Sequence, residues 1–188
     1  MEKLPVQSDV LNSEIENLTE LRGHRELRIL ETGCIRCADE PHRIGDGWST
    51  LTFATYVKEN GGRAVSVDLD TSSAAMVLGR EKLTGYASLV QAESLAYLDS
   101  LVAADKQFDL ILLDSASDPE HILRKWERAV QMVTSPGVIL IDDVQHDAET
   151  CGTKGSLVIE RLARNGVGFR GLKRWSGHAW IGMMAIDF

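Results

Sequence analysis

Cysteine is scarce in this chain, three among 188 residues, and an odd number does not close into the paired framework of a disulfide-stapled domain. Basic residues are the minority charge. Twenty Lys and Arg face 28 Asp and Glu, for a formal net charge of -8 and a sequence pI near 5.1. That balance excludes the broad cationic surface needed to neutralise a nucleic-acid backbone. No apolar run reaches the length of a membrane span. The first twenty residues lack the basic-then-apolar pattern of a secretory leader, and no repeat or low-complexity tract interrupts the chain. The length, with 44% hydrophobic and 26% charged residues, suits one domain with a sizeable core. The expectation is a cytoplasmic protein forming a single domain over 1–188, with 1–26 as an N-terminal helical segment. Its partner should be a small molecule rather than a nucleic acid or a membrane, and a homo-oligomer is compatible with this reading.

What is present is an alternation of strand-like and helix-like segments. Leu27–Leu30 and Ala64–Asp68 read as buried strands flanking a helix that begins near Gly45-Asp46-Gly47-Trp48-Ser49-Thr50 and stops at Gly61-Gly62. Ser72–Leu83, Leu95–Val102, Glu120–Val133 and Ser156–Asn165 carry helical patterns, the third introduced by Asp118 and Pro119 as cap and first-turn residue. Tyr86–Gln91 is a short strand. Phe108–Asp114 and Val138–Asp143 are apolar on both faces and end in acid, as central parallel strands do, and Pro136-Gly137 marks the end of the helix between them. Phe169–Lys173 and Ala179–Ile186 close the chain as an antiparallel hairpin around Trp175, Ser176, Gly177 and His178. The predicted fold is α/β: a Rossmann-like, doubly wound, mostly parallel seven-stranded sheet with a C-terminal antiparallel hairpin.

The first two strands make half of a nucleotide site. Glu31-Thr32-Gly33 ends the first, where glycine lets backbone approach a ligand, and Asp68 ends the second, where a carboxylate can accept from both ribose hydroxyls. Asp68 also lies at a distance from Gly47 that suits an NAD-dependent oxidoreductase. The long gap between Gly33 and Gly45 departs from the tight dinucleotide turn and favours another adenosine-bearing ligand. A non-catalytic nucleotide-binding or S-adenosylmethionine-binding module is a third reading.

Taken in order, these segments resemble the class I S-adenosylmethionine-dependent methyltransferases over nearly the whole chain. Glu31-Thr32-Gly33 followed by Gly45-Asp46-Gly47-Trp48-Ser49-Thr50 is similar to that family's first motif, E-x-G-x-x-x-G-x-S-T, opened by about ten extra residues. The resemblance implies S-adenosyl-L-methionine as cofactor. Glu31, Gly33 and Gly47, with Ser49 and Thr50 of the same motif, would border its methionine part; Asp68 would hold the ribose; Glu93 and Ser94 would flank the adenine; Asp114 would adjoin the cofactor.

A narrower resemblance is to the catechol, caffeoyl-CoA, sugar and antibiotic O-methyltransferases. It implies a divalent cation, magnesium in the first instance, on Asp114, Asp142 and Asp143, where hard oxygen ligands could hold an acceptor's oxyanion in line with the methyl sulfonium. Ser117 stands where the catechol type has a lysine. The implied reaction is methyl transfer to a small-molecule acceptor at oxygen. Independently of the resemblance, His42, His121, His146 and His178 follow strands whose carboxyl ends face the crevice, and a histidine there can take the acceptor's proton. His146, three residues after the acidic pair, is the first choice, with His178 and His121 behind it. Cys34-Ile35-Arg36-Cys37, with His42 nearby, has zinc or redox spacing but lacks a second cysteine pair. The insertion at 34–44 is long for a connection and is expected to cover the ligand.

Overall fold

The computed structural model describes residues 5–144, 154–175 and 180–188. Strands Leu27–Thr32 (β1), Gly62–Asp68 (β2), Ala87–Gln91 (β3), Phe108–Leu113 (β4), Val133–Ile141 (β5), Arg170–Trp175 (β6) and Trp180–Asp187 (β7) form one sheet in the order β3-β2-β1-β4-β5-β7-β6. The first five are mutually parallel. β7 runs antiparallel between β5 and β6, so the doubly wound sheet and its closing hairpin stand as expected.

Helices Gln7–Arg22 (α1), Ser49–Asn60 (α3) and Ser72–Arg80 (α4) cover one face; Ser94–Ala103 (α5), Pro119–Met132 (α6) and Ser156–Arg164 (α7) cover the other. A one-turn helix, Arg43–Asp46 (α2), precedes α3. Side chains alternate across a strand, and the apolar run of β4 divides accordingly: Leu110 and Leu112 join Phe53 and Val77 on one face, Ile111 and Leu113 join Leu98 and Trp126 on the other. All four β4 residues are fully buried, each contributing about 1.5–3 kcal/mol by area. No helix among the described residues is long and apolar enough to cross a membrane.

Local differences from the sequence reading have physical causes. The helix after β1, expected to begin within 45–50, starts at Ser49, because Gly47 (φ 79°) and Trp48 (φ 49°) take positive φ and break the path before it. Helix α6 stops at Met132, and β5 begins at once and runs through Pro136 and Gly137. The shift of register against β4 lies in this stretch, and Pro is tolerated at such irregularities. Trp175 belongs to β6 instead of the connecting loop. Asp118 does cap α6, accepting from the His121 amide at 3.1 Å, with Pro119 at the first position.

Candidate active site

The carboxyl ends of β1, β2, β3 and β4 open onto a crevice of about 580 Å³ lined by Gly33, Asp68, Glu93, Ser94, Asp114 and His121, among others. That is within the range of small-molecule sites, at the position where open parallel sheets bind ligands. Gly33 has φ 89°, and a Cβ there would sit 2.8 Å from the Ser115 amide nitrogen, so only glycine lets β1 pass so close to the end of β4. Asp68 accepts from the Cys34 amide at 2.9 Å, which ties the end of β2 to the glycine turn. Glu93 caps α5 through the amides of Leu95 and Ala96, at 3.0 and 2.8 Å. The Leu95 amide bond is the main reason its carboxyl lies below the ordinary value.

Beneath the crevice, Glu31 is fully buried and accepts from Ser49, Ser66 and Thr50, the last at 2.6 Å. Burial pushes its carboxyl up to about 7 in spite of these bonds. Glu31, Ser49, Thr50 and Ser66 therefore join β1, α3 and β2 to one another below the ligand space. Gly47 faces Gln7, whose side-chain oxygen would lie 1.9 Å from an added Cβ.

Asp114, Asp142 and Asp143 converge, each offering an oxygen within 4.8 Å of the other two. Lys154 Nζ donates to Asp114 Oδ1 at 2.8 Å and to Asp143 Oδ2 at 3.4 Å. Arg174 spans both oxygens of Asp142, at 3.0 and 2.8 Å, and reaches Asp143 Oδ1 at 3.2 Å. Gln7 Nε2 donates to Asp142 Oδ2 at 2.5 Å and Asp114 Oδ2 at 3.4 Å. Every one of the six carboxylate oxygens thus has a cationic or amide donor. A divalent ion would have to displace a buried lysine and a buried arginine, and as they stand these donors do not fit one. Burial, reinforced by Asp142 and opposed by Lys154, brings the Asp114 carboxyl to about 6.

Lys125, fully buried on the apolar face of α6, donates to the Ser115 carbonyl at 3.1 Å and to its hydroxyl. It fixes the turn behind Asp114, and burial lowers its pKa to about 8. Left-handed backbone recurs here, at Ala116 (φ 63°) and Asp143 (φ 55°); such strain gathers at functional sites.

The structure therefore brings Gly33, Asp68, Glu93, Ser94, Asp114 and His121 to one crevice and gathers the three acids, while Glu31, Gly47, Ser49 and Thr50 support it from outside the lining. His121 Nε2 lies 4.0 Å from Glu93 Oε1, and burial, with Lys125, holds its pKa below the ordinary value. His42 is on the exposed insertion, and His146 and His178 lie outside the described residues. Gln7, Lys125, Lys154 and Arg174 were not anticipated. A lysine at a helical apolar position, three residues after Ile122, was the one available sign for Lys125.

A family model described as a methyltransferase domain matches residues 43–144, over half of the chain. The chain belongs to that family and is a class I methyltransferase. Among solved structures, an O-methyltransferase from Bacillus cereus in complex with SAH is 20% identical, covering 95% of this chain and 81% of that one at a TM-score of 0.66. The O-methyltransferase TomG from Streptomyces achromogenes, involved in tomaymycin synthesis and in complex with SAM, is also 20% identical, with coverage of 95% and 80% and a TM-score of 0.62. A human methyltransferase 10 domain containing protein is 14% identical, with coverage of 100% and 85% and a TM-score of 0.63. At these identities the likeness is one of fold. No curated protein matches the sequence.

Proposed function

We propose that this chain transfers the methyl group of S-adenosylmethionine to a hydroxyl of a small-molecule acceptor, acting as a single domain over 1–188. The observation that carries the proposal is the crevice in which Gly33, Asp68, Glu93 and Asp114, the member of the acid cluster that lines it, meet. In this reading the ribose hydroxyls bind Asp68, and Glu93 and Ser94 flank the adenine. The cluster of three acids against two cations keeps one negative charge, which complements a sulfonium cation. SAH and SAM in the Bacillus cereus and Streptomyces structures support the cofactor. That both of these proteins are O-methyltransferases supports oxygen as the acceptor atom.

Catalysis then rests on position and proton removal. Asp114, with its carboxyl near 6, takes the acceptor's proton, and the Lys154 ammonium stabilises the developing oxyanion, as preorganised cations do. Magnesium, which the O-methyltransferase resemblance implies, is not needed for this step. His146, His178 and His121 are the alternative bases. The net charge of -8 supports a small acceptor over a nucleic acid, and the free Cys34 and Cys37 suit the reducing cytoplasm. The insertion at 34–44 walls the cofactor through Arg36, which lines the crevice and pairs with Asp46 at 2.8 Å.

The test is methyl transfer from labelled S-adenosylmethionine to a panel of hydroxyl acceptors in EDTA, with calorimetry of S-adenosylhomocysteine and NAD alongside. The expected result is binding of the first ligand, none of NAD, and turnover in chelator. Binding of NAD alone would move the chain to the oxidoreductases. A turnover that needs magnesium would return the acids to a metal role, and a pH profile unchanged in Asp114→Asn would pass the proton to a histidine.

A further inference from the structure

The insertion between β1 and α3 carries a second cluster of ligand-type side chains, separate from the acid cluster. Cys37, Asp39 and His42 each offer an atom within 4.8 Å of the other two, and Cys37 Sγ lies 3.4 Å from His42 Nδ1. Zinc takes sulfur at about 2.3 Å and imidazole nitrogen at about 2.0–2.1 Å, which in a tetrahedron sets the two ligand atoms about 3.5 Å apart. The thiol and imidazole, in hydrogen-bond contact without an ion, already stand close to that spacing. Cys34, the other half of the cysteine pair, takes no part: its buried Sγ is directed at the carbonyls of Asp70 and Ile35, at 3.5 and 3.9 Å.

The backbone between the ligands is held in place by groups outside it. Trp48 Nε1 donates to the Cys37 carbonyl and Arg80 Nη1 to the Ala38 carbonyl, both at 3.0 Å. The buried Trp48 ring is itself flanked by the guanidiniums of Arg43 and Arg80, 5.5 and 5.2 Å from its centroid. A short 3-10 turn over Glu40–His42 closes with the His42 amide donating to the Asp39 carbonyl at 3.0 Å, which returns the imidazole towards the thiol. The Arg36–Asp46 ion pair, at 2.8 Å, clamps the two ends of the loop. Three donors on so constrained a segment lose little freedom when they converge on an ion.

We propose that Cys37, Asp39 and His42 form a three-ligand site for a zinc-class divalent cation, with the fourth position open to water. One sulfur, one nitrogen and one carboxylate oxygen select zinc or cobalt over magnesium. Because Arg36 and Asp46 of the same loop line the cofactor crevice, an ion here stiffens that wall.

Cobalt(II) titration of the metal-free protein tests this. One equivalent should give the visible bands of a tetrahedral ion and a near-ultraviolet sulfur-to-cobalt charge-transfer band, and zinc should abolish both. The charge-transfer band should vanish in Cys37→Ser and persist in Cys34→Ser and Cys151→Ser. His42→Ala and Asp39→Asn should weaken cobalt binding by about tenfold or more, the scale on which even outer-shell changes act. In the unaltered protein, zinc should slow alkylation of Cys37 by iodoacetamide, which reads the site without any variant. No charge-transfer band, a band that survives Cys37→Ser, or alkylation of Cys37 indifferent to zinc would overturn the assignment.

Discussion

Two charged clusters, one on strand β4 and one just past its carboxyl end, work in opposite senses. Asp109 is a single buried carboxylate facing two arginines, with Arg28 at 2.7 Å and Arg22 at 3.1 Å. Asp114, five residues on, is one of three carboxylates facing Lys154 and Arg174. Burial on its own would raise both carboxyls. At Asp109 the bonds from the Arg28 side chain and amide, with Thr134, outweigh burial and hold the carboxyl below its ordinary value. At Asp114 burial and Asp142 prevail over Lys154. Where cations are in excess the acid is an anchor, and where acids are in excess one of them is left able to exchange a proton.

The largest expected effect tests the anchor. Asp109→Asn strands two arginines and should cost on the order of 3 kcal/mol in urea unfolding, the scale of a broken buried pair, with turnover per folded molecule unchanged. Since the folded carboxyl is depressed, its contribution is present above the ordinary Asp value and lost as pH falls through the folded one. The deficit of the variant should therefore shrink in acid.

Asp114→Asn should do the reverse. It leaves two acids against two cations, so stability should move by less than about 1 kcal/mol, while turnover falls about a hundredfold. In the unaltered enzyme the rate should rise with pH through about 6 as the carboxylate forms, and the variant should lose that limb. Lys154→Met removes the charge that lowers the Asp114 value and should move the limb to higher pH. A stability loss in Asp114→Asn as large as that in Asp109→Asn would dissolve the contrast.

A smaller effect is expected at the cofactor. Asp68→Ala should weaken S-adenosylhomocysteine by about 1–3 kcal/mol in calorimetry, the loss for polar partners left unpaired. Smaller still is the pH dependence set by Glu31. A carboxyl raised to about 7 gives stability that is full below its unfolded value and lost as pH rises through the folded one. Thermal unfolding between pH 5 and 8 should show this slope flattened in Glu31→Gln, by about 2–4 °C for each kcal/mol recovered.

Much of this frame was readable from the sequence, because it rests on local patterns. The apolar runs of β4 and β5, the Asp118-Pro119 cap and the acids at strand ends each declare themselves within a few residues. The neutralising groups do not. Gln7 meets Asp142 across 135 residues, and Lys154 meets Asp114 across 40, so no spacing rule relates them. Without them the three acids look like a bare cation site; with them they are a paired cluster. Likewise the cysteine spacing singled out Cys34 with Cys37, whereas the folded loop turns Cys34 inward and sets Cys37 beside His42.

The arrival of Arg174 has a consequence for how the molecule is made. Synthesis runs from the amino end, and Arg174 follows Asp142 by 32 residues, on a strand joined to the rest of the sheet through β7, which lies between it and β5. A chain ending after β5 would hold Asp142 and Asp143 without the arginine that meets them in the finished fold. The hairpin thus supplies charge as well as strands, which ties it and the five parallel strands into one folding unit.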